Sequence, residues 1–426
     1  MPVLNELKQK ITSGEYDDRF RRVYVTDSEV AAQHARYCKL AETFAELYAP
    51  DRDIRLFSAP GRTEVGGNHT DHNHGRVLAA GINLDAIAAA AKNEENIVRV
   101  KSEGYNMDVV DIADLSVHPE ETGRSPALVR GVCKGFVNAG YKVGGFDAAT
   151  ASRVLSGSGL SSSAAYEVLV GTMLNYLYND GKVDAVTIAK IAQYAENEYF
   201  GKPCGLMDQT ACSVGSFVTI DFNDPANPEI EEVKFDFAAC GHALCIVDTK
   251  GSHSDLTDEY AYIREEMESV AHYFGKNVLR EVNPEAFYAE IPALRKQVGD
   301  RAVLRAMHFY SDNDRVLKEV AALRKGDFET FKKYILQSGF SSYMYNQNVF
   351  SVKKPQEQPV SLALAISQQI LEGRGAWRVH GGGFAGTIQA FVPMDLLEDY
   401  KSAVESVFGE GACYVLSIRP VGGTEI

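Results

Sequence analysis

The segment LSGSGLSSSAA, residues 155–165, is the most informative stretch of the chain. It places two glycines and five serines directly before and at the start of residues 161–178, which read as a helix. Glycines let backbone amides approach an anion closely, and the first turn of a helix adds unpaired N–H groups and a positive dipole end. The segment lacks the lysine of a GxxxxGK[ST] loop and does not read GxGxxG. It predicts a phosphate-binding loop, with a flexible Gly/Ser turn as the alternative.

A second segment, APGRTEVGGNHTDHNHG at residues 59–75, mixes one Arg, one Glu, one Asp, three His and four Gly. Asp and Asn form hydrogen bonds with vicinal hydroxyls, and His can donate or accept, so this mixture favours a hydroxyl-rich ligand. Two alternatives stay open. One is a metal site built from the His and Asp side chains of residues 69–74, and the other is a purely structural polar turn.

A third segment, VHGGGFAG at residues 379–386, places three consecutive glycines directly before a predicted strand. Glycine at such a point indicates close approach of the backbone to a ligand or to another element. The alternative is an ordinary tight turn.

The bulk composition limits the classes of function. A chain of 426 residues favours two domains. Its 43 Lys and Arg against 58 Asp and Glu give a net charge of −15, which argues against nucleic acid or an anionic membrane as a partner. The seven cysteines include no CxxC pair, which favours free thiols in a reducing compartment.

Two further features concern location. No apolar run reaches the roughly 18 residues of a membrane span, and residues 1–20 lack the basic and apolar regions of a signal peptide. We therefore expect a cytoplasmic protein, as a monomer or weak homo-oligomer.

Predicted strands and helices follow each other without a regular βαβ rhythm, which favours an α+β fold over a doubly wound parallel sheet. Apolar residues at the helical period predict a helix over residues 262–274, and alternating apolar residues predict a strand over residues 233–237. The segment DFNDPANP at residues 221–228 indicates a domain boundary, giving domains 1–222 and 223–426.

The order of these segments, together with CGLMDQ at residues 204–209, resembles the galactokinase branch of the GHMP small-molecule kinases. The resemblance runs from about residue 53 to the C-terminus, and HTD and CGLMDQ are its sugar-kinase motifs. It implies a two-domain GHMP kinase of the α+β class. The substrate- and ATP-binding N-terminal domain would resemble domain 2 of ribosomal protein S5, and the C-terminal GHMP kinase domain would be ferredoxin-like.

The resemblance also implies roles for the residues at matching positions. Asp208 and Arg62 would be catalytic: the Arg keeps the carboxylate ionised, and the Asp orients the C1 hydroxyl of the sugar and accepts its proton. Whether Asp208 acts as a base or by positioning alone stays open. The residues that would bind the sugar are Asn68, His69, Asp71, Gly205 and Tyr260.

ATP and Mg²⁺ are the cosubstrate and cofactor that the resemblance implies. The residues expected to bind the ATP phosphates are Gly157, Ser158, Gly159, Leu160, Ser161, Ser162 and Ser163. Mg²⁺ is expected on Ser163 and Glu196, with Glu198 as a competing candidate in the same predicted helix, residues 184–200.

The chain departs from the family pattern in the second segment. Family members have Glu before HTD, near the C6 hydroxyl of the sugar, where this chain has Asn68. They commonly have Asn-Leu-Ile where this chain has Glu64, Val65 and Gly66. Asn can bind a hydroxyl but lacks the charge, whereas Glu64 brings a charge of its own. These changes indicate a rebuilt pocket.

The sequence therefore predicts an ATP-dependent sugar 1-kinase that converts galactose to galactose 1-phosphate in galactose metabolism. The alternatives are a kinase for galacturonate, N-acetylgalactosamine or arabinose, a non-catalytic sugar and ATP sensor, and a kinase for a non-sugar such as mevalonate. The intact phosphate loop, Arg62, Asp208 and Glu196 argue against the sensor, and HTD and CGLMDQ argue against a non-sugar substrate.

Overall fold

A computed structural model describes residues 2–154, 159–251 and 256–426. The α-helices in these ranges are α1 (Pro2–Thr12), α2 (Asp17–Tyr24), α3 (Asp27–Leu47), α4 (Ser125–Asn138), α5 (Ser162–Tyr178), α6 (Ala185–Tyr194), α7 (Met207–Val214), α8 (Thr257–Tyr273), α9 (Pro284–Gln297), α10 (Asp300–Arg324), α11 (Phe328–Ser341), α12 (Pro359–Leu371) and α13 (Leu397–Phe408). The strands are β1 (Arg55–Gly66), β2 (Arg76–Lys92), β3 (Ile97–Ser102), β4 (Met107–Asp111), β5 (Phe146–Ser152), β6 (Phe217–Asp221), β7 (Glu229–Val233), β8 (His242–Asp248), β9 (Ala376–Val379), β10 (Thr387–Pro393), β11 (Cys413–Leu416) and β12 (Thr424–Glu425). π-helical turns continue α6 over Ala195–Phe200 and α11 over Ser342–Asn346.

The chain forms two compact units. Unit 1 comprises Met1–Arg62, Ala80–Ser216 and Arg419–Ile426, and unit 2 comprises Thr63–Ala79 and Phe217–Ile418. This division differs from the predicted single boundary after residue 222, because the long strands β1 and β2 contribute residues to both units and β12 returns to pair with β1. The binding roles assigned to domains 1–222 and 223–426 stay predictions.

Unit 1 is built on a sheet with the strand order β12–β1–β2–β5–β3–β4. β5 pairs antiparallel with β2 and parallel with β3. Alternate residues of β2, Ile87 and Ala89, face a core cluster with Phe20 and Phe44 of the N-terminal helices. The predicted helix over residues 161–178 is confirmed as α5, which is buried along most of its length as expected for a helix apolar on all sides.

Unit 2 contains the antiparallel sheet β11–β8–β10–β9. The elements β8, α12, β9, β10, α13 and β11 follow the β-α-β-β-α-β order that the predicted ferredoxin-like domain requires, with α8 to α11 inserted after β8. Ile388 and Val404 pack in the core between this sheet and the helices α12 and α13. The predicted helix over residues 262–274 is confirmed within α8.

The strand predicted over residues 233–237 is wrong beyond Val233, where β7 ends. The rings of Phe235 and Phe237 instead pack on Phe217, at centroid distances of 6.1 and 6.4 Å. Their period-two spacing therefore reflects an aromatic cluster and not strand geometry. Among the described helices, none combines the length and apolarity needed to cross a membrane.

Candidate active site

Arg62 at the end of the unit 1 part of β1 and Asp208 in the first turn of α7 form a two-point ion pair. The Nε atom of Arg62 lies 2.7 Å from Oδ1 of Asp208, and Nη2 lies 2.8 Å from Oδ2. Burial by itself would raise the pKa of Asp208, but Arg62 and the donating hydroxyl of Ser161 outweigh it and lower the pKa. Because the Asp208 side chain is still 32% exposed, an ionised carboxylate is available to a ligand.

The described part of the predicted phosphate loop, residues 159–163, lies beside Arg62. The Arg62 guanidinium donates to the carbonyl of Gly159, and the Arg62 backbone N–H donates to the carbonyl of Leu160 at 3.1 Å. A Cβ atom on Gly61 would lie 2.8 Å from that Leu160 oxygen, so glycine is required for this approach. Unit 1 therefore brings the APGR segment together with residues 159–163. Gly157 and Ser158 lie outside the described residues.

The first turn of α5 presents the backbone N–H donors that an anion site needs. Ser161 stands at the N-cap in a left-handed conformation, with φ of 59°, and its hydroxyl bonds to Asp208 instead of capping the helix. The first N–H groups of the helix, on Ser162 and Ser163, thus begin a turn without a side-chain cap. This arrangement suits a phosphate group.

The two predicted metal ligands lie together in unit 1. Glu196 lies in the π-helical turn and is buried, with a residue exposure of 2%, whereas Glu198, two residues further on, is exposed. Ser163 Oγ donates to Glu196 Oε1 at 3.0 Å, and Lys202 Nζ lies 3.1 Å from the same oxygen. A hydroxyl and a carboxylate are hard oxygen donors, so this pair fits Mg²⁺.

Two further residues beside Glu196 had no role in the sequence prediction. Gln209 Nε2 lies 2.7 Å from Oε2 of Glu196 and 3.2 Å from Oε2 of Glu167, and both Gln209 and Glu167 are fully buried. The sequence could have drawn attention to Glu167, since it is the one charged residue in α5. Gln209 follows Asp208 directly in CGLMDQ.

In unit 2, the triple-glycine segment accepts hydrogen bonds from two predicted sugar ligands. His69 Nε2 donates to the carbonyl of Gly382 at 2.9 Å, and the Tyr260 hydroxyl donates to that of Gly383 at 3.0 Å. A Cβ atom would lie 2.5 Å from the Tyr260 ring at position 382 and 1.9 Å from the Asn348 carbonyl at position 383. Close backbone approach therefore explains these glycines.

His69 is an uncharged hydrogen-bond donor at neutral pH. Burial lowers the pKa of its imidazole to about 4, and nearby cationic groups act in the same direction. The bond to Gly382 places the proton on Nε2.

The remaining predicted sugar ligands differ in their surroundings. Asp71 begins a 3₁₀ turn, Asp71–Asn73, and is partly buried, while Gly205 is exposed in the loop before α7. Asn68 is fully buried, and its amide donates to Glu64 Oε1 at 3.0 Å. The metal-site alternative for residues 69–74 gains no support, since the described residues contain no cluster of three or more His, Cys, Asp or Glu able to hold a metal.

Comparisons with known proteins agree with the motifs. Residues 127–216 match the family described as GHMP kinases N terminal domain, and residues 42–92 match the galactokinase galactose-binding signature. A galactokinase of Streptomyces coelicolor is 32% identical over 374 residues, covering 87% of this chain and 92% of that protein.

Solved structures show the same architecture. The Lactococcus lactis galactokinase complexed with galactose superimposes with a TM-score of 0.74 at 25% identity, covering 91% of this chain and 98% of that one. The Methanococcus jannaschii mevalonate kinase has a TM-score of 0.61 at 13% identity, covering 87% and 99%, which shows a shared fold.

Proposed function

Because the chain belongs to the galactokinase family of the GHMP kinases, we propose that it transfers the γ-phosphoryl group of ATP to the C1 hydroxyl of galactose. The observation that carries this proposal is the two-point pair of Arg62 and Asp208 beside residues 159–163. An ionised carboxylate, a fixed guanidinium and a helix N-terminus are groups that suit phosphoryl transfer to an alcohol.

Asp208 receives the proton in this reaction. Its carboxylate accepts a hydrogen bond from the C1 hydroxyl and takes the proton as the bond between the sugar oxygen and phosphorus forms. The bond between phosphorus and the bridging oxygen of ADP breaks in the same step, so the products are galactose 1-phosphate and ADP. Because the transition state is loose, the orientation that Arg62 imposes on the Asp208 carboxylate contributes to the rate together with the basicity of that carboxylate.

The ATP phosphates are assigned to the loop that includes Gly157 and Ser158 and continues through Ser163. Ser163 and Glu196 would hold Mg²⁺, which when bound neutralises charge on the phosphate oxygens. Lys202 shares an oxygen of Glu196 and supplies positive charge at the same place.

The sugar hydroxyls are assigned to His69, Asp71, Gly205 and Tyr260. His69 and Asp71 lie within the region that matches the galactose-binding signature, residues 42–92. We further propose a cytoplasmic location and a monomer or weak homo-oligomer.

The test is ADP release with Mg-ATP across galactose, galacturonate, N-acetylgalactosamine, arabinose and glucose, with the product identified by its phosphorus NMR resonance. Galactose should have the highest kcat/KM and give an anomeric phosphate. A better rate with another sugar would change the substrate and keep the chemistry. Absence of sugar-dependent ADP release across the panel would overturn the kinase assignment.

A further inference from the structure

The backbone of Asn68 is anchored at both of its polar groups within unit 2. The Asn68 N–H donates to Oδ2 of Asp312 at 2.8 Å, and the Asn68 carbonyl accepts from Nε2 of His308 at 2.8 Å. Asn68, Asp312 and His308 are all fully buried. The path of the chain at residue 68 is therefore determined by side chains of α10.

The side chain of Asn68 has no hydrogen-bonding capacity left for a ligand. Its amide donates to Glu64 Oε1 at 3.0 Å and to the carbonyl of Gly381 at 2.8 Å. Its oxygen accepts from Ser342 Oγ at 3.1 Å and from Asn348 Nδ2 at 2.9 Å. A carboxamide has two N–H donors and two acceptor positions, so these four bonds satisfy it completely.

The residues on either side of Asn68 have left-handed backbone conformations. Gly67 has φ of 80° and His69 has φ of 57°. Glycine adopts this region freely, but for His the conformation carries steric strain. Such strain persists where the surrounding structure over-determines it, and Asn68 with its six hydrogen bonds provides that constraint. The same conformation directs His69 Nε2 toward the carbonyl of Gly382.

Buried cations hold the partners of Asn68 in place. Arg378, itself fully buried, donates from Nη2 to Glu64 Oε1 at 2.7 Å, the same oxygen that accepts from Asn68. Arg315 pairs with Asp312. The network therefore has fixed anchors at both ends and does not depend on a ligand for its geometry.

We propose that Asn68 is a positioning residue that holds His69 in its left-handed conformation for sugar binding and does not itself contact the sugar. The inference rests on the proposed function, since it concerns how that substrate is bound. The position of Asn68 directly before HTD would otherwise imply that it is a sugar ligand. The proposal assigns it a different role.

The test uses Asn68→Ala with galactose and its 2-, 3-, 4- and 6-deoxy analogues. Loss of the anchor should raise the KM for galactose about tenfold while the KM for ATP changes less than about twofold. His69→Ala, measured on the same panel, identifies the hydroxyl that His69 binds. Because Asn68 acts through His69, the penalty of Asn68→Ala should disappear for the analogue that lacks this hydroxyl and persist for the other analogues. A penalty that disappears for a different analogue would identify a direct contact of Asn68 with that hydroxyl and overturn the proposal.

A milder variant and a control separate positioning from general destabilisation. Ser342→Ala removes one bond to Asn68 and should raise the KM for galactose about threefold, with the same pattern across the analogues as His69→Ala. This variant provides the test if Asn68→Ala does not fold. Asn175→Ala is the matched control, since Asn175 is a buried Asn of unit 1 that bonds the backbone of Val183 at 2.9 and 3.0 Å. It should lower the thermal midpoint without changing the KM for galactose.

Three outcomes have distinct meanings. A rise in the KM for galactose in both unit 2 variants, with the analogue pattern of His69→Ala, supports the proposal. A lowered thermal midpoint with an unchanged KM in Asn68→Ala, the behaviour expected of Asn175→Ala, overturns it. A wild-type protein that phosphorylates none of the sugars overturns the proposed function, and this inference with it.

Discussion

The guanidinium of Arg62 binds both carboxylate oxygens of Asp208, at 2.7 Å from Nε and 2.8 Å from Nη2. This two-point geometry fixes the plane of the carboxylate as well as its charge. Each carboxylate oxygen has a second acceptor position, and Ser161 donates to Oδ2, so a substrate hydroxyl has a defined direction of approach.

Asp208→Asn is expected to lower kcat by about 10²- to 10⁴-fold while leaving ATP affinity unchanged, because the amide cannot accept a proton. Steady-state kinetics and ATP titration measure the two effects. Asp221→Asn is the matched control, since Asp221 is also bound at both oxygens by an Arg, Arg280, at 3.0 and 2.8 Å. Near-normal turnover in Asp208→Asn would contradict the role assigned to Asp208.

Glu196→Gln is expected to weaken Mg²⁺ binding by at least about tenfold, because a neutral amide replaces a buried carboxylate beside Ser163. Binding of Mn²⁺ in the presence of an ATP analogue, followed by electron paramagnetic resonance, measures this directly. Glu198→Gln alters an exposed carboxylate two residues away and should have no effect. Equal metal affinities in the two variants would exclude Glu196 as the ligand.

Glu319→Gln is expected to stabilise the protein increasingly as the pH rises from about 4.5 to 8. Glu319 is fully buried, with no hydrogen-bond partner among the described residues, and burial raises the pKa of its carboxyl to about 8, with a further contribution from Asp312. Arg378 and Arg315 offset only part of this shift. The native state therefore keeps a proton that the unfolded state releases, and native stability falls as the pH rises through this interval.

Since Gln does not ionise, Glu319→Gln should be more stable than the wild type by about 3 kcal/mol at pH 7 and by little at pH 4.5. Urea unfolding at several pH values gives the comparison. Glu329→Gln, at an exposed carboxylate, should follow the wild-type curve. Parallel curves for Glu319→Gln and the wild type would show that Glu319 is ionised in the native state.

Asn68→Glu is expected to destabilise the protein by about 2–4 kcal/mol, because the new carboxylate would lie buried beside Glu64, whose Oε1 is 3.0 Å from the Asn68 amide. The double variant Glu64→Asn with Asn68→Glu leaves one carboxylate in the network and should recover part of the loss. Thermal unfolding of the wild type, the two single variants and the double variant gives a double-mutant cycle. Additive effects of the two substitutions would show that residues 64 and 68 are not coupled.

The candidate catalytic residues could be chosen from the sequence where motifs occur in a recognised order. Arg62 and Asp208 lie 146 residues apart, yet the order of APGR and CGLMDQ predicted both. The prediction of Glu196 over Glu198 rested on the resemblance, and the structure adds that Glu196 is buried in the π-helical turn whereas Glu198 is exposed. Glu167 and Gln209 were missed because Gln209 bridges Glu167 and Glu196, and the three residues lie in three separate elements.

The sequence alone determined the family and predicted a phosphate loop and a candidate catalytic pair, since the motifs that carry these predictions are residue types at short spacing within each segment. The tertiary structure decided which of these side chains have capacity left for a ligand. Asn68 follows the family pattern in position, but its partners Asp312 and Asn348 lie 244 and 280 residues further along the chain. Hydrogen-bond saturation and burial depend on such distant partners, which local spacing does not specify.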